Sequence, residues 1–448
     1  MKDTYGDRVE DIRLKEYPHM KHGVYLDRAD PKHFDLVFVA NATAAIKLVA
    51  ESFRDLAEKS QSGRFWYGYH RDAHTSLVGV REYTHGRHHC FGSDTEVERW
   101  LQSPGTAGIN HFGESDLALF AYPGQSNMCG RRLPLSWNGH VRHSEHLQNT
   151  YIQDTLFDAA ALAMTSPMNK VFGNVDEAPD FTCLSLYKIF GFPDLGALVI
   201  RKESGHILTL RKYFGGGTVT MVGTMGGQSW HRSKGPQVLP YRLHDGLEDG
   251  TLPFHSILAL GEALTVHRRL FKSMEFISIH TSRLTARLYS GLARLQHVNG
   301  RAVCRIYCGS AQGVSDSAKQ GPVIAFNVKT ANGQYVPYTE VERLANNAGI
   351  FIRSGGVCNP GGIFSALGIV RASVGAMTTT REVDTFLGFM QATFIDPPVD
   401  QIDSTRTTLC SSGSDEGAND EPSSASSKWA VRIYSLRNLF RRDKTAVR

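Results

Sequence analysis

Four short apolar runs, each breaking into small polar residues, constrain this chain more than any other feature. Residues 34–53 read FDLVFVANATAAIKLVAESF. Positions 34–40 have the apolar character of a strand, 41–43 read as a turn and helix cap, and 44–53 show helical amphipathicity. Residues 117–132, LALFAYPGQSNMCGRR, run from a buried strand into polar residues. Residues 155–166, TLFDAAALAMTS, do the same at Asp158, and residues 184–202, LSLYKIFGFPDLGALVIRK, at Ser185 and Lys188. Repeated strand, turn and helix units predict an α/β fold. In such folds the polar residues just past the strands gather at the carboxyl edge of the sheet, where sites form.

The turn residues carry the chemistry. Lys188 follows a buried run and precedes a reversal containing Gly191, Pro193 and Gly196. A desolvated amine there is a nucleophile; the alternative is a strand-end lysine whose stem packs while its head reaches water. The turn at Asn41, Thr43 and Ala44 offers backbone N–H groups and a hydroxyl to an anion, or is a plain helix cap. Asp158 is either a charge partner for a ligand or the cap of the helix that follows. His74, in HRDAHTS, begins a helical run and on its own reads as structural. The cluster HGRHHC at 85–90 is too crowded for a structural zinc site and has no second ligand pair at zinc-like spacing; it is expected to be a solvated loop. The triple glycine before Thr218, in KYFGGGTVTMVG, permits close backbone approach to an anion or serves as a hinge.

A second signal lies at 349–364, GIFIRSGGVCNPGGIF. Arg353 closes an apolar run, and a glycine-rich loop then presents Cys358. Such an arginine can fork a carboxylate, and a thiol on such a loop suits sulfur transfer. The competing view is a surface loop with an incidental cysteine. Cys304 and Cys308 are expected on one face of a strand.

With 41% hydrophobic and 21% charged residues the composition is that of a globular protein. The net charge of +5 owes much to Arg432, Arg437, Arg441, Arg442, Lys444 and Arg448. The body is near neutral and gives no reason to expect a nucleic-acid partner. No apolar run spans a membrane, residues 1–21 lack a signal-peptide core, and seven scattered cysteines suit a reducing compartment. The expectation is a cytoplasmic protein.

The segments S-x-Y-K-I-F-G-F-P-x-L-G-A-L at 185–198, P-x-Q-S-N-x-x-G-R-R at 123–132 and R-x-G-x-x-C-N-P-G at 353–361 resemble molybdenum cofactor sulfurases. These are class V aminotransferase-fold enzymes related to cysteine desulfurases, and the resemblance covers most of residues 17–393. It implies a fold type I transferase that binds pyridoxal 5'-phosphate. Its large domain would hold a mostly parallel, seven-stranded-type sheet, followed by a small α+β C-terminal domain. The expected divisions are 1–33, 34–256, 257–396 with a connecting helix from 257 to 295, and a Ser/Thr/Asp-rich disordered linker and basic tail at 397–448. The resemblance places the cofactor on Lys188. Its phosphate would go to Thr43 and Ala44, its ring against His74, its ring nitrogen on Asp158, and its hydroxyl near Asn127, with Gln125 close by. Ser185 also falls in this set, and Gly217 and Thr218 would reach the phosphate of a second subunit, implying a homodimer. Arg353 would take the carboxylate of L-cysteine, and Cys358 would carry the persulfide. The sulfur acceptor would be molybdenum cofactor or a molybdoenzyme.

The chain departs from that family in two places. It runs from the strand-like 23–27 almost directly into 34–40, where the family has a long segment. It also ends where the family continues into a cofactor-binding β domain. Two other readings therefore stand beside the first. One is a pyridoxal phosphate C–S lyase or aminotransferase-like enzyme with no need of Cys358. The other is a non-catalytic paralogue.

Overall fold

The apolar runs become neighbouring strands of one sheet. Its strands are β1 (Phe34–Val39), β2 (Phe65–His70), β3 (His88–Phe91), β4 (Leu117–Pro123), β5 (Ile152–Asp158), β6 (Phe181–Ser185) and β7 (Gly196–Arg201). Their order is β1-β7-β6-β5-β4-β2-β3. Pairings from β6 through β5, β4 and β2 to β3 are parallel, and β7 is antiparallel to both β6 and β1. The ends of β1, β2, β4, β5 and β6 therefore lie on one edge, together with the start of β7. The expected mostly parallel seven-stranded sheet is the one observed.

The computed structural model describes residues 30–60, 62–103, 117–144, 152–224, 230–234, 242–308, 311–361 and 368–396. The chain divides into compact units 1–397 and 398–448, and every described residue belongs to the first. The strand expected at 23–27 and the tail at 397–448 lie outside the described residues.

Strand β4 shows why the sheet sits where it does. All seven of its residues are buried. Ala118, Phe120 and Tyr122 join one core with Phe91, Trp100, Trp137 and Phe157, while Leu117, Leu119 and Ala121 join the other. A strand buried on both faces reads as a continuous apolar run for this reason. Helix α1 (Ala42–Ala57) lays Ala45, Ile46, Val49 and Phe53 on the second face. Burying a side chain the size of Phe53 contributes roughly 1.5–3 kcal/mol.

Strands β8 (Val219–Gly223) and β9 (Trp230–Ser233) form an antiparallel pair, and the second sheet, which follows, is antiparallel throughout, in the order β10-β11-β13-β12. It comprises β10 (Cys304–Ile306), β11 (Val323–Val328), β12 (Arg353–Gly355) and β13 (Ile369–Ser373). Leu284, Leu288 and Leu292 cover it from one helix, and Val383, Phe386 and Met390 from another.

Several local expectations change. The helical stretch expected over 257–295 is two helices, Phe254–Phe271 and Met274–Arg294, interrupted where Lys272 takes φ 64°. Residues 88–91 of the presumed loop form β3, because β2 offers them a parallel edge. Arg353 opens β12 instead of closing a strand, and Phe351 before it is 90% exposed. Cys304 is a buried strand residue, but Cys308 lies past the end of β10 and donates its thiol proton toward the Cys129 carbonyl at 3.6 Å.

Candidate active site

The turn after β1 is held by three contacts. Asn41 is extended, and its side chain accepts from the Ala44 N–H at 3.0 Å. Ser185, at the end of β6, accepts from the Ala42 N–H at 3.2 Å. Gly196 opens β7 directly opposite Val39, and a Cβ on it would stand 2.4 Å from the Asn41 Cα. Only glycine lets β7 pass so close. Thr43 is left exposed at the mouth of α1, where the N–H groups of a first helical turn attract an anion.

Two residues past β2, Asp72 is clamped by Arg131, whose Nη2 lies 2.7 Å from one carboxylate oxygen. The Arg131 Nη1 reaches Asp94 at 2.6 Å, and the buried His70 Nε2 lies 3.2 Å from the same carboxylate. Burial alone would raise the Asp94 pKa, but His70 and Arg131 bring it to about 2. This clamp fixes the segment that presents His74. That histidine caps the one-turn helix Thr75–Val78, its Nδ1 accepting from the Ser76 N–H at 3.1 Å. An amide can only donate, so the ring proton of the neutral form sits on Nε2. Burial lowers the His74 pKa, with Asp158 opposing and Lys188 reinforcing the shift. His74 is therefore neutral near pH 7.

Asp158 ends β5 with 7% of its surface exposed. Its Oδ1 accepts from the Ala160 N–H at 2.9 Å. Burial raises its pKa, and the Ala160 bond and the charges of His74 and Lys188 oppose that. Those mutual influences bring the three groups into one electrostatic neighbourhood. Lys188 corrects its expectation in one respect. It lies on the one-turn helix Leu186–Phe190 and is exposed, not buried. The helical turn rotates it away from the buried side, where Leu186 packs.

The Cys358 loop meets this edge from the second sheet. The Cys358 carbonyl accepts from the N–H of Thr75, next to His74, at 3.1 Å. Asn127, just past β4, donates from its side chain to the Val357 carbonyl at 2.8 Å. The Asn127 side chain thus faces the loop. The structure also shows an unexpected second arginine. Arg371 on β13 stands directly opposite Arg353 on β12. Like charges so placed repel, and Arg353 lowers the Arg371 pKa further after burial does, while Cys358 raises it. The buried Arg371 Nε has no hydrogen-bond partner. Two arginines facing each other beside a thiol carry the donors that could fork a small carboxylate. The signal in the sequence is a lone arginine inside the apolar run IVRASV.

Gly217 and Thr218 lie in a turn tied to Asp249, which accepts from the Gly215 N–H at 2.7 Å and pairs with Arg211 at 2.7 Å. The Thr218 hydroxyl donates to the Gly215 carbonyl at 2.8 Å and is buried. Gln125 accepts from Arg132 at 3.1 Å and so braces the start of the β4 loop.

The set fits pyridoxal phosphate. An exposed threonine stands at a helix mouth, and a buried carboxylate has one oxygen bonded to Ala160. His74 and Lys188 stand near enough to influence the titration of that carboxylate. No helix among the described residues is long and apolar enough to cross a membrane.

Known proteins resemble this chain over most of its length. The Aspergillus clavatus protein named molybdenum cofactor sulfurase is 47% identical over 420 residues, covering 87% of this chain and 46% of its own length. The Botryotinia fuckeliana protein of the same name is 43% identical, covering 90% of this chain and 57% of its own. The chain thus spans about half the length of these curated relatives. Among solved structures, the apo cysteine desulfurase of Thermococcus onnurineus superposes with a TM-score of 0.59 at 21% identity, covering 80% of this chain and 78% of its own. At that identity it speaks for the fold alone. The model of the class-V aminotransferases matches residues 114–386, more than half of the chain, which therefore belongs to the aminotransferase class-V family.

Proposed function

We propose that this chain binds pyridoxal 5'-phosphate and moves the sulfur of L-cysteine onto Cys358 as a persulfide, for delivery to molybdenum cofactor or a molybdoenzyme. The observation that carries this reading is the bond from the Thr75 N–H to the Cys358 carbonyl. It brings the thiol's loop onto the segment that presents His74. The names of the curated relatives support the acceptor.

The residues divide the work as follows. Thr43, Ala44 and Ser185 form the phosphate end. Asp158, His74, Asn127 and Lys188 hold the remainder of the cofactor, and Gly217 and Thr218 would serve the phosphate of a second copy in a homodimer. Bound pyridoxal phosphate supplies an electron sink for the substrate's amine-bearing carbon. Asp158, buried at the end of β5, would as a carboxylate favour the protonated ring that makes such a sink effective. Arg353 and Arg371 grip the substrate carboxylate and so orient its side chain. His74 Nε2 holds a proton, and the neutral ring is fit to exchange it. The Cys358 thiolate attacks the substrate sulfur; the S–S bond of the persulfide forms as the C–S bond breaks, and alanine leaves. In this reading 34–256 is the cofactor-binding part and 257–396 the part that brings Arg353 and Cys358, and the protein works in the cytoplasm.

The visible spectrum tests this. The purified protein should carry a cofactor band that changes on adding L-cysteine and is lost in Lys188→Ala. Cys358→Ala should keep the band and lose the persulfide together with nearly all alanine release. Undiminished sulfide release from Cys358→Ala, with pyruvate and ammonia in place of alanine, would instead favour a C–S lyase. A colourless protein that takes up no pyridoxal phosphate would overturn the enzyme reading.

A further inference from the structure

We infer that Asn359 is a positioning residue: it latches the Cys358 loop against the His74 segment through a side-chain clasp with Asn127. The inference rests on the sulfur-transfer reading above. Cys358 is exposed, yet its neighbour Asn359 is 2% exposed and fully engaged. The Asn359 side-chain amide donates to the Asp72 carbonyl at 3.1 Å and to the Asn127 Oδ1 at 2.9 Å. Its Oδ1 accepts from the Gly361 N–H at 2.9 Å, and its own N–H donates to the Gly356 carbonyl at 3.0 Å. Asn127 returns the contact by donating to the Val357 carbonyl. Arg371 in turn donates to the Asn127 carbonyl at 2.8 Å. With the Thr75 bond, the carbonyls of Gly356, Val357 and Cys358 are all tied.

The loop needs such ties. Val357 and Cys358 take φ values of 46° and 54° in succession. A left-handed backbone is disfavoured for any residue carrying a Cβ. A loop in that state stays docked only while neighbours over-determine it. The clasp spans both sheets. Asp72 follows β2 and is fixed by Arg131, Asn127 follows β4, and Asn359 follows β12. Asn359 touches neither reacting sulfur; it acts by fixing where Cys358 stands relative to the paired arginines and His74.

Asn359→Leu keeps the branched shape, with somewhat greater bulk, and removes every side-chain hydrogen bond. In the full-length protein with pyridoxal phosphate it should slow alanine release from L-cysteine about 10- to 100-fold in kcat, with KM moving little. The cofactor band should not change. Hydrogen exchange read by mass spectrometry should rise about tenfold in the peptides covering Thr75 and residues 355–361, and stay fixed in β4. A variant that merely loosened the fold would raise exchange everywhere. Should Asn359→Leu fail to fold, Asn359→Asp keeps the shape and the bond from Gly361. Ionised, it has no donor for the Asp72 carbonyl or the Asn127 Oδ1, so exchange at Thr75 should rise as in Asn359→Leu. Unchanged kcat with unchanged exchange at Thr75 in either variant overturns the latch. The exchange result decides it even where the wild type releases no alanine, a result that would overturn the sulfur-transfer reading alone.

Discussion

Two polar turns meet at the site, and they are built in opposite ways. The turn at Asn41–Ala44 is local. Its asparagine is extended and bonds to an N–H three residues on, and the helix it opens completes the work. Its one long-range demand is bare space, supplied by Gly196. The loop at 356–361 is non-local. Its backbone is left-handed at Val357 and Cys358, and its asparagine bonds across 287 positions to Asp72 and 232 to Asn127. The first turn offers a fixed cradle for an anion. The second holds a reactive side chain out in solvent on backbone that relaxes once its partners let go. A cradle is best made from backbone and close packing, and a carrier from bonds that can be broken one at a time.

The largest predicted effect attacks the cradle. Gly196→Val places a branched Cβ where backbone atoms of Asn41 already lie at 2.4–2.8 Å. Neither strand β7 nor the turn can give way without tearing the β1–β7 pairing. We expect a loss of about 3 kcal/mol or more in urea unfolding, with loss of pyridoxal phosphate binding. A variant as stable as the wild type would show that the turn is softer than the packing implies.

This contrast also explains what could be read from the sequence. The sheet was legible because β4, β5 and β6 are buried on both faces and spell continuous apolar runs. The positions of Asn41, Asp158 and Ser185 followed from where those runs end. His74 at a helix start was legible for the same reason. The loop was not legible in this way, since a lone Asn359 gives no hint that its partners lie near residues 72 and 127. Arg371 was hidden because its meaning depends on facing Arg353 across β12 and β13. The sequence left Lys188 between a desolvated amine and a lysine with its head in water; a single helical turn exposes it. The role proposed for Thr218 would depend on a second chain, which no local pattern encodes.

A smaller effect sharpens the account of the cradle through pH. Asp35, on the strand that feeds the turn, accepts from His244 at 2.8 Å. The hydrogen bond to Asp35 raises the His244 pKa above its ordinary 6.5. Burial opposes ionisation of Asp35, yet His244 and nearby backbone N–H groups draw its pKa below 3.8. The pair's contribution is thus fully present between pH 3.8 and 6.5. It fades as the pH climbs through the raised His244 value, and again as it falls through the lowered Asp35 value. His244→Gln should therefore be less stable than the wild type by up to about 1 kcal/mol at pH 5.5, and the gap should narrow by pH 8.5. A gap that widens with pH would mean that His244 acts through its neutral form.

The smallest effect runs against intuition and separates the loop's stability from its chemistry. Cys358 is exposed and takes φ 54°, so its side chain adds little packing while its Cβ disfavours the backbone by roughly 1–2 kcal/mol. Cys358→Gly removes that penalty but gives the unfolded chain more freedom, by about 0.5–1 kcal/mol. The net expectation is a protein about 0.5 kcal/mol more stable than Cys358→Ser, which keeps the Cβ, measured by paired urea titrations. Both variants lack the thiol and should form no persulfide. Equal stabilities would mean that the clasp at Asn127 and Asn359 holds the loop without opposing any left-handed strain, and the carrier would then resemble the cradle more closely than its backbone angles suggest.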